Sequence, residues 1–140
     1  MTKNQSAPRQ KRILIVEDDP DIRGLLQILF EQENFEVQLA ENGKDALDVL
    51  ETQALPQLIL LDYMMPEMDA VGFKKHQVRD AKIAHIPILL MSAFGAMDAK
   101  SLQIGAAAWV RKPIEIEKLF KAVDQILKNA TPSPLPTPPR

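Results

Sequence analysis

The sequence contains no cysteine, which excludes a disulfide framework and a thiolate metal site. Neither sign of charge dominates, because 17 basic and 19 acidic residues leave a net charge of -2. Bulk charge therefore gives no reason to expect a surface for nucleic acid or for a membrane. No apolar run approaches the roughly 18 residues of a membrane-spanning helix, and the polar start of the chain lacks the apolar centre of a signal peptide. These absences favour a cytoplasmic protein that does not bind nucleic acid directly and does not insert into a membrane.

Two glycine-rich loops are also missing. The chain has no Gly-x-x-x-x-Gly-Lys-Ser/Thr segment to hold a nucleoside triphosphate and no Gly-x-Gly-x-x-Gly segment for a dinucleotide. If this chain takes part in phosphoryl transfer, the phosphoryl donor must therefore be another molecule that is not held in a loop of either kind.

What is present is an alternation of short apolar segments and amphipathic segments. Strands are predicted over 13–16, 35–40, 58–61, 88–91 and 107–110, most of them runs typical of strands buried on both faces. Helices are predicted over 20–32, from the Asn42-Gly43 turn to about 52, from beyond Pro66 to about 80, and over 95–104 and 115–129. This alternation predicts an α/β fold, a doubly wound five-stranded parallel sheet with helices on both faces.

The domain organisation follows from the ends of this pattern. Residues 1–11 are polar without periodicity and are predicted to form a flexible arm. Residues 12–129 are predicted to form one folded domain, which suits the 140-residue length. Residues 130–140 are rich in proline and are predicted to be an extended tail or linker.

Chemically active side chains stand where the predicted strands end. Glu17 and Asp18 follow the first strand, Asp62 the third, Ser92 the fourth and Lys112 the fifth. Right-handed crossovers bring the carboxyl ends of parallel strands to one edge, where ligands of open α/β sheets bind. Asp19 also follows the first strand, but Asp19-Pro20 is a typical helix cap with proline in the first turn.

This group of side chains suits phosphoryl transfer. If the first and third strands are neighbours, Glu17, Asp18 and Asp62 converge, and two bare carboxylates about 4 Å apart repel by roughly 4 kcal/mol. A hard divalent cation with oxygen ligands, Mg²⁺ above all, relieves that repulsion. Lys112 adds a positive charge and Ser92 a hydroxyl donor, so Asp62 is predicted to be the nucleophile that forms an aspartyl phosphate.

The motifs resemble the receiver (response regulator) family of two-component signalling, the CheY-like domain. They are Ile13-Leu-Ile-Val-Glu-Asp-Asp19, Leu60-Leu-Asp-Tyr-Met-Met-Pro66, Met91-Ser-Ala93 and Lys112-Pro113. The sequence departs from the family at Ala70, where glycine is usual.

The resemblance implies a role for each matching residue and a strand order of 2-1-3-4-5. Asp62 would be the phosphoacceptor and Lys112 its phosphate-pairing base, with a cis bond before Pro113. Ser92 would be the switch hydroxyl and Trp109 the switch aromatic. The magnesium ligands would be Glu17, Asp18, Asp62 and the backbone carbonyl of Met64.

The expected function is a phosphorylation switch rather than an enzyme. The partners implied are a sensor histidine kinase or a histidine phosphotransfer protein as donor. A downstream protein or a second copy would bind the face formed by the fourth helix, the fifth strand and the fifth helix. Two alternatives stay open: a hydrolase acting through an aspartyl phosphate, and a phosphorylation-independent scaffold receiver. Apolar Met64 and Phe94, two residues beyond Asp62 and Ser92, predict slow self-dephosphorylation.

Overall fold

A computed structural model describes residues 11–65, 67–93 and 104–130 of the chain. The strands are β1 (Arg12–Val16), β2 (Glu36–Ala40), β3 (Leu58–Asp62), β4 (Ile88–Ser92) and β5 (Ala108–Arg111). The helices are α1 (Pro20–Gln32), α2 (Gly43–Thr52), α3 (Ala70–Gln77) and α4 (Ile116–Ala130). None of the described helices combines the length and the apolar character needed to cross a membrane.

The five strands form one parallel sheet in the order β2-β1-β3-β4-β5, which confirms the predicted fold class. β3 is the central strand, and all five of its residues are buried. In register, Val16 of β1 pairs with Leu61 of β3, and Asp62 pairs with Met91 of β4. The carboxyl ends of β1, β3 and β4 therefore meet at one edge.

Helices cover both faces of the sheet and create two separate cores. On one face, α2 and α3 pack against the strands through Ala46, Val49, Leu50 and Phe73. On the other face lie α1 and α4, where the Phe30 ring stands 4.7 Å from the ring of Phe120. Burial on both faces explains why β3 and β4 are continuous apolar runs, whereas the alternating β2 lies at an edge of the sheet.

The third helix is shorter than predicted, since α3 ends at Gln77 and not near residue 80. Gln77 is fully buried, and its Nε2 donates to the backbone carbonyls of Ile83 (2.9 Å) and Ile86 (3.0 Å). These two bonds hold the segment after α3 against the last residue of the helix. The backbone therefore leaves the helical path before the predicted end.

Several predicted segments lie outside the described residues. Of the helix predicted over 95–104, only Ile104 is described, and it is buried in the core with α2 and α3. Phe94 also lies outside, as do residues 1–10 of the arm and 131–140 of the tail.

The loop between β3 and α3 is held against α2. Ala70 begins α3 and has no positive φ; in this loop that conformation belongs to Glu67, at 69°. The backbone N–H of Gly43 donates to the carbonyl of Met68 (3.1 Å), and a Cβ on Gly43 would stand 2.7 Å from that same oxygen. The absence of a side chain at Gly43 is therefore what lets α2 approach the loop that follows Asp62.

Two glycine-to-alanine substitutions are expected to change stability in opposite directions. Gly43→Ala forces α2 and the Met68 backbone apart and should lower the free energy of unfolding by about 1–3 kcal/mol. Gly24→Ala, in the middle of α1, meets no atom within 4 Å and should raise it by about 0.5–1 kcal/mol. Urea unfolding of the two variants measures both values. Equal effects would contradict the close approach at Gly43.

Candidate functional site

The carboxylates predicted from the strand ends come together. Continuing the β1–β3 register by one residue places Glu17 level with Asp62. One carboxylate oxygen from each of Glu17, Asp18 and Asp62 lies within 4.8 Å of the others. Glu17 is fully buried and Asp62 is 4% exposed, whereas Asp18 is open to solvent. Three acids at this spacing form the predicted acidic cluster.

Lys112 reaches this cluster from the end of β5. Its ammonium lies 2.9 Å from Glu17 Oε1 and donates a hydrogen bond to Asp62 Oδ2 at 3.2 Å. The residue is placed by its backbone N–H, which donates to the carbonyl of Ser92 at 2.9 Å, and the bond between Lys112 and Pro113 is cis. Burial lowers the pKa of Lys112, but the contacts with Glu17 and Asp62 outweigh it and raise the pKa, so the ammonium stays charged.

Asp62 lies in an environment that disfavours its negative charge. Burial, and next the charge of Glu17, raise the pKa of Asp62 from 3.8 to about 6, although Lys112 pulls it down. One ammonium therefore does not neutralise the two buried acids and Asp18 together.

The residues present fit a hard divalent cation. The cluster supplies carboxylate oxygens alone, the ligand type that Mg²⁺ prefers. Glu17 Oε1 is buried and pairs with the Lys112 ammonium at 2.9 Å, which leaves a second lone pair on this oxygen. This oxygen keeps the capacity to bind a cation, and the repulsion among the acids gives a reason for one to bind.

Ser92 and Met64 lie beside the acids, but Trp109 does not. Ser92, at the end of β4, is 3% exposed and lines an open pocket of about 290 Å³ with the three acids and Lys112. Met64 lines the same pocket and is 52% exposed. Trp109 lies in β5, outside this pocket, where its ring faces the guanidinium of Arg111 at 5.9 Å.

The loop from β1 to α1 shows two contacts that strand and helix patterns do not indicate. Asp19 caps α1 as predicted, accepting from the backbone N–H groups of Asp21 and Ile22, and its own N–H donates to Glu17 Oε2 at 3.1 Å. Arg23 donates from Nη1 to the backbone carbonyl of Glu17 at 2.7 Å. Arg23 is absent from the predicted site because an arginine on an amphipathic helix is usually a solvated residue.

Larger grooves elsewhere on the described surface lack this chemistry. Two, of about 470 and 560 Å³, run along β5 and α4. Within the described ranges, Glu17, Asp18 and Asp62 form the one group of acids spaced to hold a metal ion. The side chains that line the pocket, and not its volume, therefore identify the candidate functional site.

A parallel sheet that brings acids from β1 and β3, a hydroxyl from β4 and a lysine from the end of β5 to its carboxyl edge defines a class of doubly wound α/β protein. The family model for the response regulator receiver domain matches residues 13–124. The chain belongs to this family and is a receiver domain of two-component systems.

Individual relatives agree with the family. The chain is 36% identical over 120 residues to sporulation initiation phosphotransferase F of Bacillus subtilis, covering 84% of this chain and 94% of that protein. It is 34% identical to the DNA-binding dual master transcriptional regulator RpaA of Synechocystis, covering 84% of this chain but 49% of that one. The chain thus spans about half the length of such transcriptional regulators.

Among solved structures, the chemotaxis response regulator CheY4 of Vibrio cholerae superposes with a TM-score of 0.78 at 26% identity, covering 85% of this chain and 100% of that one. This similarity supports the fold described above.

Proposed function

We propose that Asp62 accepts a phosphoryl group from a phosphohistidine of a partner protein and that the phosphorylated chain then signals by a change of conformation. The observation that carries this proposal is the hydrogen bond of Lys112 to Asp62 inside a cluster of three acids at the end of the central strand.

The chemical step is a transfer between two nucleophiles. A carboxylate oxygen of Asp62 forms a bond to phosphorus while the bond between phosphorus and the histidine nitrogen breaks, and the imidazole that leaves takes up a proton. The carboxylate is reactive because it is ionised yet poorly compensated, as its raised pKa indicates. Lys112 lies where it can pair with the charge that the incoming phosphoryl oxygens add.

A divalent cation completes this site. Glu17, Asp18 and Asp62 would hold Mg²⁺ with the backbone carbonyl of Met64, and the ion would supply positive charge to the phosphoryl oxygens in the transition state. The oxygen spacing of the three acids supports this assignment.

Phosphorylation would change contacts at Ser92 and Lys112. Both line the pocket and stand on neighbouring strands, so a dianionic group on Asp62 would draw the Ser92 hydroxyl and the ammonium toward itself. Trp109 lies two residues before Arg111, the β5 partner of Ser92, and would carry this change along β5 as the switch aromatic. Exposed Met64 beside the pocket supports slow hydrolysis of the phosphorylated state, because apolar bulk there hinders an attacking water.

The proposed partners follow from this chemistry. The phosphoryl donor is a sensor histidine kinase or a histidine phosphotransfer protein. The output partner is a downstream protein or a second copy of this chain, and it binds at the face that includes β5 and α4, the helix Ile116–Ala130. A scaffold that does not depend on phosphorylation has no need for the buried acids and the lysine, so nothing favours that alternative.

The test is transfer from a small phosphoramidate donor, followed by intact-mass and peptide mass spectrometry. We expect one phosphoryl group per chain, on the peptide that contains Asp62. It should form in the presence of Mg²⁺ and should not form when EDTA has removed the metal ion. A phosphoryl group on another residue, or equal labelling in EDTA, would contradict the proposal. Continued turnover of the donor far beyond one equivalent would instead support a hydrolase.

A further inference from the structure

Arg23 makes a contact with the acidic loop that the proposed reaction does not yet use. Its guanidinium stands on α1 and donates to the backbone carbonyl of Glu17, six residues earlier, at 2.7 Å. A helical hydrogen bond joins residues four apart, so this bond does not belong to the helix. It ties α1 to the peptide group that joins Glu17 to Asp18.

Asp18 consequently lies between two peptide groups that are both held. The carbonyl before it accepts from Arg23 at 2.7 Å, and the N–H after it, which belongs to Asp19, donates to Glu17 Oε2 at 3.1 Å. Holding both peptide groups restrains the backbone dihedral angles of Asp18, which set the direction of its Cα–Cβ bond and limit its side-chain rotamers.

Asp18 needs such a restraint more than the other two acids. Lys112 holds the buried carboxylates of Glu17 and Asp62, at 2.9 and 3.2 Å. The Asp18 carboxylate is exposed, and a neighbouring carboxylate about 4 Å away repels it by roughly 1–4 kcal/mol, depending on the local dielectric. Repulsion pushes it into solvent, away from the position that a shared cation requires.

We infer that Arg23 is a positioning residue that, through the Glu17 carbonyl, keeps the Asp18 carboxylate directed at the divalent cation. This inference rests on the proposed function. Residues that orient metal ligands in this indirect way typically change metal affinity by about 10–100-fold when they are replaced.

The positive charge of Arg23 allows two explanations of its role to be distinguished by the direction in which metal affinity changes. A guanidinium next to the acidic loop repels a cation, so loss of its charge alone would tighten metal binding. Loss of the hydrogen bond to Glu17 would weaken metal binding, because Asp18 becomes free to turn outward. The two explanations therefore predict opposite changes for the same neutral substitution.

The experiment measures binding of Mg²⁺ and of Mn²⁺ alone to the full chain by calorimetry and by electron paramagnetic resonance. For Arg23→Met we expect roughly tenfold weaker binding of both ions. The matched control is Gln27→Met, also on α1, where Gln27 donates only to Glu31 Oε2 on the helix surface (3.1 Å). This control should bind both ions as the parent chain does.

A second readout separates positioning from a general loss of structure. In phosphorylation by a phosphoramidate, the Mg²⁺ concentration for half-maximal rate should rise roughly tenfold in Arg23→Met, whereas the rate at saturating Mg²⁺ should stay close to that of the parent. Arg23→Lys keeps the charge and a hydrogen-bond donor, so it provides a folded comparison if the methionine variant unfolds in EDTA. We expect metal binding by Arg23→Lys, whose ammonium can still donate to the Glu17 carbonyl, to be stronger than that of Arg23→Met.

Unchanged or tighter metal binding in Arg23→Met would overturn the role of Arg23. If the parent chain binds Mg²⁺ and is phosphorylated on Asp62 in those same experiments, the proposed function stands without it. A parent chain that binds neither ion would overturn both.

Discussion

Asp62→Asn is expected to abolish phosphoryl acceptance and, at the same time, to stabilise the metal-free protein. The amide has no nucleophilic carboxylate oxygen, so labelling by a phosphoramidate should fall to background. Stability should rise because the substitution removes a buried charge that Glu17 repels, the two main causes of the raised Asp62 pKa. Near pH 7 in EDTA the gain should be about 1–2 kcal/mol, after allowance for solvent screening in an open pocket.

This gain should depend on pH in one direction. The pKa of Asp62 is about 6 in the folded chain against an ordinary value of 3.8, so the native state holds the proton more tightly than the unfolded state. The penalty from ionised Asp62 is therefore absent below about pH 4, grows as the pH rises through about 6, and is complete above it. Urea unfolding of parent and variant across this range measures the difference. Asp124→Asn, at an exposed acid of α4, is the matched control and should show no such gain. A difference that grows toward acid pH would show that Asp62 is stabilised as an anion.

Lys112→Met should give the largest loss of stability. The methionine keeps the apolar stem, but the buried carboxylates of Glu17 and Asp62 lose the ammonium that stands 2.9 and 3.2 Å from them. Removal of one partner from a buried ion pair typically costs about 3–5 kcal/mol. Because Lys112 is partly exposed, we expect about 3 kcal/mol in EDTA.

Magnesium should restore part of this loss, since a divalent cation replaces the missing positive charge among the acids. The matched control is Lys118→Met, whose ion pair with Glu115 spans 3.4 Å at the surface. An exposed pair of this kind contributes less than about 1 kcal/mol. Similar losses in the two variants, or no effect of Mg²⁺ on the Lys112 variant, would contradict the assigned role of Lys112. Thermal and urea unfolding with and without Mg²⁺ provide the measurements.

The elements that local patterns indicate were predicted well, and the site residues at strand ends followed from them. Leu58–Leu61 is an apolar run because β3 lies between two strands and under two layers of helix. Asp62 and Ser92 end β3 and β4, and Lys112 follows β5, so parallel topology alone was enough to predict that they lie at one edge. The strand order came from resemblance to the receiver family, because the choice of neighbours in a sheet depends on packing between distant segments.

Features that depend on hydrogen bonds from a side chain to a backbone carbonyl were missed. The end of α3 was predicted near residue 80, but Gln77 pairs with carbonyls six and nine residues later and stops the helix sooner. No helical or strand periodicity indicates such a bond. Arg23 was missed for a similar reason, since its partner is a backbone carbonyl and backbone carbonyls have no signature in a sequence.

The central position of β3 gives these experiments an internal reference. Its backbone is paired with β1 on one side and β4 on the other, and every one of its side chains is buried. Core strands of this kind are the last to open locally, so we expect their amide protons to exchange with deuterium through unfolding of the whole domain. The exchange rates at Leu60 and Leu61 therefore measure global stability in native buffer, and they allow changes at the acidic edge to be separated from changes in the fold as a whole.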